Sequence, residues 1–382
     1  MRKLLFLLSI LFGINAQSQI LIDNTAPYNS TAHLLNNVLI GGGIVISNPS
    51  FIGAPDQIGF FNSINSNVGI DSGIVLSTGE ISDIIGPNNS NGSFGTSFYF
   101  SAYGDGDLTL DSIIFPDETN DAAVLEFDFI PNSGTLSFRY VFGSEEYLEY
   151  VANFNDVFGF FLSGPNPTGG NYVDENIAII TGTVNTPVSI NNVNDANNSA
   201  YYINNGTGSA FNGGSQYTDA TVIQFDGFTT PLTAFANVNC GDTYHIKLVV
   251  ADAVDHSYDS GIFLEAGSFL SPEVTVNNTL GIDTNILAIT CNTTVDLTAS
   301  SIVGSTFEWF DNNSNFISSN ATISAGPGIY VVSATINGCS VLGDTIQVLF
   351  EMPAAPTGLA CYETANFDTP TCSWIVTGTQ DP

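Results

Sequence analysis

Two acid-rich stretches carry most of the chemistry this sequence offers. LSFRYVFGSEEYLEYVANFNDVFGFFLSG (136–164) places Glu145, Glu146 and Asp156 around one short loop, and YHIKLVVADAVDHSYDSGIFLEAGSF (244–269) places Asp252, Asp255 and Asp259 around another. Gathered carboxylates can hold a hard cation such as Ca²⁺, which takes about six to eight oxygens, with Asn153 and Asn155 at hand as neutral donors. Two acids can instead cleave a glycosidic bond if they stand about 5–5.5 Å or 6.5–9.5 Å apart. Glu145 and Glu146 point to opposite faces of a strand, which argues against them as that pair; Glu146 with Asp156 or Asp252 stays open. The expectation is a structural calcium site built from Glu145, Glu146, Asp156, Asp252, Asp255 and Asp259. The plainer alternative is that these acids cap turns, pair with Arg139 and Lys247, and otherwise face water. A further acidic run, Asp105, Asp107 and Asp111, reads as turn chemistry.

Other reaction classes find little support. His33, His245 and His256 are not spaced as a zinc signature, and no nucleophile-elbow, phosphate-loop or dinucleotide pattern occurs. GGGIV at 41–45 follows a predicted helix, so it reads as a helix stop.

The chain has four Lys and Arg against 37 Asp and Glu, for a formal net charge of −33. Arg2 and Lys3 belong to the leader described below, which leaves Arg139 and Lys247 as the basic side chains of the remainder. Each is expected to form an ion pair with carboxylates at strand ends. Such a charge excludes nucleic acid and anionic membrane surfaces as partners, because both require cationic contacts.

The elements that must position the acids are strands. Leu136, Phe138, Tyr140 and Phe142 alternate onto one face, Arg139 and Val141 onto the other. Asp156 shares a face with Phe158, Phe160 and Leu162, and Asp252 shares one with Ile246, Leu248 and Val250. Two hairpins would then carry Glu146 and Asp156, and Asp252 and Asp259, to one rim. Similar period-two runs (GIVISN, GIVLST, AVLEFDF, TVIQFDGF) recur between Asn, Gly and Pro clusters. STAHLLNNVL (30–39) is the one early helix expected, with Ser30 or Thr31 as N-cap and Gly41 as its end. The fold class is all-β: a large lectin-like or jelly-roll-like β-sandwich with a small N-terminal helical ornament, then a small immunoglobulin-like sandwich.

Residues 1–16, MRKLLFLLSILFGINA, read as a secretory signal peptide: a basic start, a short apolar stretch and a small-residue end. No later run is long and apolar enough to span a bilayer as a helix. Residues 17–271 form the first domain, with a boundary at Ser271-Pro272. Residues 272–350, with Trp309 in the centre, resemble the immunoglobulin-like or PKD-like spacers of bacterial surface proteins. Residues 351–382 are a Pro-rich linker and a Cys-containing tail with too little core to fold alone. In an exported chain Cys291, Cys339, Cys361 and Cys372 are expected to form two bridges. Domain logic pairs Cys291 with Cys339, with Trp309 packed on that bridge, and Cys361 with Cys372. Cys240 reads as a small buried hydrophobe.

The runs FRYVFGSEEYLEYVANFNDVFGFFLSGPN (138–166) and YHIKLVVADAVDHSYDSGIFLEAGSF (244–269) resemble the choice-of-anchor L domain. GIVLSTG (73–79), GPN (86–88) and LEFDF (125–129) support the likeness in the expected order, over about residues 20–270. The resemblance implies a protein exported by Bacteroidetes-type bacteria, with an attachment signal that varies between members and usually lies near the C-terminus. The tail ACYETANFDTPTCSW is similar to short repeats in surface proteins that use type IX secretion, although no sorting domain follows it. The expected function is a secreted, non-enzymatic, calcium-stabilised adhesion or carbohydrate-binding module. Its expected partners are an extracellular glycan or a surface protein, and Tyr147, Tyr150, Tyr201 and Tyr202 are candidate contacts or ordinary packing. A structural matrix or filament component is the alternative, and a carboxylate-dependent glycoside hydrolase the more distant one.

Overall fold

The computed structural model describes residues 19–64, 66–88, 104–206, 223–271, 274–291, 293–301, 304–336, 339–357, 359, 364–368 and 372–378. The leader 1–16, Pro272 of the boundary and Cys361 lie outside the described residues.

Among the described residues, thirteen strands up to residue 265 form two facing antiparallel sheets. The larger runs β1 (Leu21–Asp23), β3 (Ile58–Asn62), β4 (Ser72–Ser77), β13 (Ser260–Glu265), β6 (Thr135–Ser144), β10 (Gly227–Thr229) and β9 (Tyr202–Asn204), with β11 (Leu232–Asn237) also on β6. The smaller runs β2 (Ile44–Ile52), β5 (Thr119–Pro131), β12 (Tyr244–Ala253), β7 (Val157–Pro165) and β8 (Asn171–Asn176). Alternation decides what lies between them. Leu136, Phe138, Tyr140 and Phe142 from β6 meet Phe158, Phe160 and Leu162 from β7 and Ile246, Leu248 and Val250 from β12 in one buried core. Aromatic edges lock that core, with Tyr140 and Phe160 perpendicular at 4.9 Å between centroids.

Both outer faces are covered as well, so the central strands read as nearly continuous apolar runs. Val141, Val75 and Phe263 pack under Ile223, Phe225 and Ile81 on the larger sheet. On the smaller sheet Val124, Phe161 and Val249 pack under helix α2 (Leu108–Ile114) through Leu110 and Ile114. The expected helix near the N-terminus forms as α1 (Thr31–Leu34) and widens into a π-turn over Leu35–Leu39. The Ser30 hydroxyl accepts the His33 amide, and the Gly41 amide leaves the helix to donate to Phe269 O.

Residues from 274 to 350 build a three-stranded and a five-stranded sheet around fully buried Trp309. Trp309 donates its indole N–H to Asn320 O at 3.0 Å. A two-stranded hairpin, Thr364–Asp368 with Ser373–Thr377, follows. Among the described residues no helix is long and apolar enough to cross a membrane.

The disulfide pairing expected from domain logic is wrong. Cys240 joins Cys339, with Cα atoms 5.7 Å apart, and Cys291 joins Cys372, at 5.6 Å. The expected pairing closes each bridge within one compact unit. Here the first ties the loop between β11 and β12 to the Trp309-centred unit, and the second ties that unit to the tail hairpin. Cys240 is therefore a bridging cysteine, and Trp309 finds its partner in a carbonyl on its own unit.

Candidate functional site

The expected hairpins are not hairpins. β6 lies in the larger sheet and β7 in the smaller, so residues 145–156 form an arch that crosses from one sheet to the other. Residues 254–259 cross back between β12 and β13 in the same way. The two arches stand side by side because β12 pairs with β7 and β13 pairs with β6. The register matches Ala251 with Val157 and Ser260 with Ser144, which sets Asp252 beside Asp156 and Asp259 beside Glu145. The Glu145 amide donates to Asp259 O at 3.0 Å, fixing the second of these neighbours. Two ordinary strand pairings thus deliver both acidic loops to one corner of the sandwich.

That corner is closed to water. Glu145, Glu146, Asp156, Asp252 and Asp259 are all buried, between 0% and 4% exposed. Asp255 is half-buried and accepts the Ser257 amide at 2.9 Å within its own turn. Asp156 is the best satisfied: its Oδ1 accepts the Ala253 amide at 2.9 Å and its Oδ2 accepts the Ser260 hydroxyl at 2.6 Å. The carboxylate oxygens of Asp252 and Oε2 of Glu145 and of Glu146 are buried away from backbone donors; Asp252 has the Thr78 hydroxyl and Asp156 beside it, and Glu145 shares a hydrogen bond with Asp226. The Asp259 carboxylate lies against the α-carbon of Gly79, which leaves no room for a Cβ there. The backbone bends hard around these groups, with Val254 at φ 79° and Tyr258 at φ 65°, a conformation a β-branched residue seldom adopts.

Burial and mutual repulsion raise the pKa values of these acids. Burial first, then Asp156, Asp255 and Glu149, push Glu146 up to about 10. Burial lifts Asp156 to about 7, against the lowering effect of its bonds from Ser260 and Ala253. Glu145, Asp252 and Asp259 are raised well above the ordinary carboxylate range by burial and then by neighbouring acids.

Neither expected cation reaches this corner. Arg139 binds both oxygens of Glu265, at 2.6 and 2.8 Å, on a solvent-facing side of the larger sheet. Lys247 binds Asp107 at 2.6 Å and the Thr109 hydroxyl at 2.9 Å. Asp107 caps α2, accepting the Thr109 and Leu110 amides, so Lys247 pins that helix to the smaller sheet. Both basic residues form ion pairs away from this corner, Arg139 with a carboxylate at a strand end and Lys247 with one at a helix start.

The six acids do not share one coordination sphere. Among the described residues no three His, Cys, Asp or Glu side chains are grouped so as to hold a metal ion. The strand pairing explains this, because it spreads the acids laterally as neighbours, Asp156 by Asp252 and Glu145 by Asp226. The tyrosines divide between the two alternatives. Tyr147 is fully buried with its ring 4.9 Å from that of half-buried Tyr202. Tyr150 stays half-exposed, its hydroxyl 3.0 Å from that of Tyr258, with Phe154 edge-on beside it.

Sequence reasoning missed four participants. Asp226 is 3% exposed, faces Glu145, and is raised to about 8 by burial. Asn88 is 3% exposed and donates to Asp226 Oδ1 at 2.8 Å. Asp121, 1% exposed, pairs with His256 Nδ1 at 3.0 Å. That pair lies beside a cleft of about 360 Å³ lined by Asp105, Glu118 and His256. The fourth, Gly79, gives Asp259 its space. GPN (86–88) and GIVLSTG (73–79) were the available signals for Asn88 and Gly79, whereas Asp226 and Asp121 sit inside apolar strand runs that read as core.

No curated protein matches the chain. Among solved structures, the adhesin domain of Epf from Streptococcus pyogenes aligns over 70% of this chain and 91% of that one, at 12% identity and a TM-score of 0.20, too slight to carry any argument. The model of the choice-of-anchor L domain matches residues 22–270, the whole two-sheet sandwich with its acidic corner, and the chain belongs to that family.

Proposed function

We propose that this chain is a secreted, cell-surface adhesion or carbohydrate-binding module, non-enzymatic, whose acidic corner is neutralised by calcium. The observation that carries the reading is the burial of Glu145, Glu146, Asp156, Asp226, Asp252 and Asp259 together while Arg139 and Lys247 are engaged elsewhere. Holding one carboxyl neutral at pH 7 against its ordinary value near 4 costs about 4 kcal/mol. A few such groups would consume the roughly 5–15 kcal/mol by which a domain is stable. A divalent ion removes that cost. The buried oxygens of Asp252 and Glu146 suit a hard cation whose remaining ligands are carbonyls and hydroxyls such as that of Thr78, which lies beside Asp252.

The same burial argues against a hydrolase. Glu146 and Asp156, the pair left open for glycoside cleavage, are 1% and 0% exposed, so a sugar ring cannot reach them. The calcium role is then structural: it fixes the arches and presents Tyr150, Phe154 and Tyr258 at their tips as an aromatic surface for a glycan or a surface protein. Export is supported by family membership and by the leader-like residues 1–16.

A second reading, a structural matrix or filament component, is favoured by bridges that cross from unit to unit. Glycan-array binding by the full chain, in calcium and in EDTA, separates the two. Retention of a glycan class in calcium and its loss in EDTA supports the binding module. No retention in either condition leaves the matrix role.

A further inference from the structure

The geometry points to a binding cleft for a neutral sugar residue at the junction of the large sandwich and the Trp309-centred unit. It rests on the glycan-binding reading above and gives the sugar a place apart from the acidic corner and the aromatic arch tips.

The cleft has a volume of about 560 Å³. Ligand sites run to roughly 300–1,000 Å³ and favour such junctions. Asn132, from the sandwich, forms one wall. The strand Thr275–Asn278, the loop with Asp283 and Asn285, and the strand Cys339–Phe350 form the others. Val274 and Ile346, 5% and 3% exposed, make its base apolar.

The turn that bears Asn132 is held from several sides. The Asn132 amide donates to Gly43 O at 2.8 Å, and the Ser133 amide donates to Ser271 Oγ at 2.8 Å, three positions before Val274. The Gly241 amide donates to Pro131 O at 2.9 Å, and its neighbour Cys240 is bridged to Cys339, at the start of the strand that carries Val341 and Asp344. A covalent bond and backbone hydrogen bonds thus fix the two sides of the cleft relative to each other, so it is formed before any ligand arrives.

Asn132, Asn277, Asp283, Asn285 and Asp344 line this cleft, and none of their side chains has a hydrogen bond or ion pair to a described residue. Asn194, Asn205 and Asn278, in contrast, donate their side-chain amides to backbone carbonyls. Three amides and two carboxylates are left for a ligand. An amide both donates and accepts, as a sugar hydroxyl does, and a carboxylate accepts from two hydroxyls. A protonated amine only donates, so it would leave the three amide NH₂ groups idle. An anionic sugar would meet Asp283 and Asp344 without a cation to answer it, since Arg139 and Lys247 are engaged elsewhere. Half-buried Val276 and Val341 supply an apolar surface for the C–H face of the ring.

The experiment places the full chain, in calcium, on an array of neutral, sialylated and glucosamine oligosaccharides, and follows the retained oligosaccharide by titration calorimetry. Retention of neutral oligosaccharides is expected. Asp344→Ala and Asn277→Ala, both at exposed positions, should each weaken binding about tenfold while keeping the circular dichroism of the unaltered chain. If one variant fails to fold, the other is read alone. Unchanged affinity in the folded cleft variants overturns the cleft; loss of binding in Tyr150→Ala, on an arch tip, would then leave the glycan-binding reading standing without it. Preference for sialylated or glucosamine oligosaccharides overturns the proposal as well. No oligosaccharide retained by the unaltered chain removes both.

Discussion

The Ser260 hydroxyl donates to the Asp156 carboxylate at 2.6 Å, and that bond spans the sandwich. Asp156 precedes β7 in the smaller sheet, whereas Ser260 opens β13 in the larger one. The carboxylate oxygen not used by Ser260 accepts the Ala253 amide at the end of β12. One buried acid therefore joins three strand ends drawn from both sheets, so the acidic corner is structural before it is anything else.

Asp252 provides a test whose sign depends on conditions. Without calcium, Asp252→Asn removes a buried acid that faces other buried acids and should raise stability by about 1–3 kcal/mol. With calcium the same variant should gain less than the unaltered chain, because a ligand has gone. Thermal unfolding in EDTA and in calcium checks both halves. A variant destabilised equally in the two conditions would mean that Asp252 serves packing alone.

The pH dependence of the calcium-free chain follows from the raised acids. Asp156 at about 7, Asp226 at about 8 and Glu146 at about 10 stand above an unfolded value near 4. Between those limits the folded state holds more protons than the unfolded one, so stability falls as pH rises. The contribution is full below about pH 4 and is lost on passing the folded values, at up to about 1.4 kcal/mol per pH unit for each group still titrating. Melting temperature in EDTA should drop from pH 5 to pH 8, and a rise over that window would contradict the burial argument.

Lys247 makes a different contribution from Arg139. Its ammonium is largely buried against Asp107 and lies 5.7 Å from the centre of the Phe161 ring, where it holds the capped start of α2. Lys247→Met should cost about 3 kcal/mol by leaving Asp107 unpaired, whereas Arg139→Met, on an exposed pair, should cost less than about 1 kcal/mol. Urea unfolding of both variants measures the difference.

Much of this was readable from alternation. The faces of 136–142 and 244–250 follow a period of two, and the structure fills its core with the residues that the pattern selects. The corner was reached for the right reason, acids at strand ends, but by the wrong connection. A loop of a given length serves a hairpin or an arch equally well, and only the pairing of β7 with β12 and β6 with β13 decides. Asp226 was illegible because its partner Asn88 lies 138 positions away, where no local pattern reports. The cysteines misled because spacing carries no information on which unit a bridge enters.

The bridges make a prediction of their own. A non-reducing peptide map should join the peptides of Cys240 and Cys339, and those of Cys291 and Cys372. Cys240→Ser should lower stability by about 4–5 kcal/mol on the loop-entropy model, since the closed segment spans 99 residues. A map joining Cys291 to Cys339 would restore the pairing within one unit.

The most direct test of the whole account is scanning calorimetry of the EDTA-stripped chain before and after calcium is restored. One saturated site at about a hundredfold excess over Kd contributes about 2.7 kcal/mol, which raises the melting temperature of a sandwich this size by roughly 5–10 °C. That rise is the predicted result. An unchanged transition, with no heat on adding calcium, would mean that the buried carboxyls hold the corner by sharing protons, and that no metal belongs there.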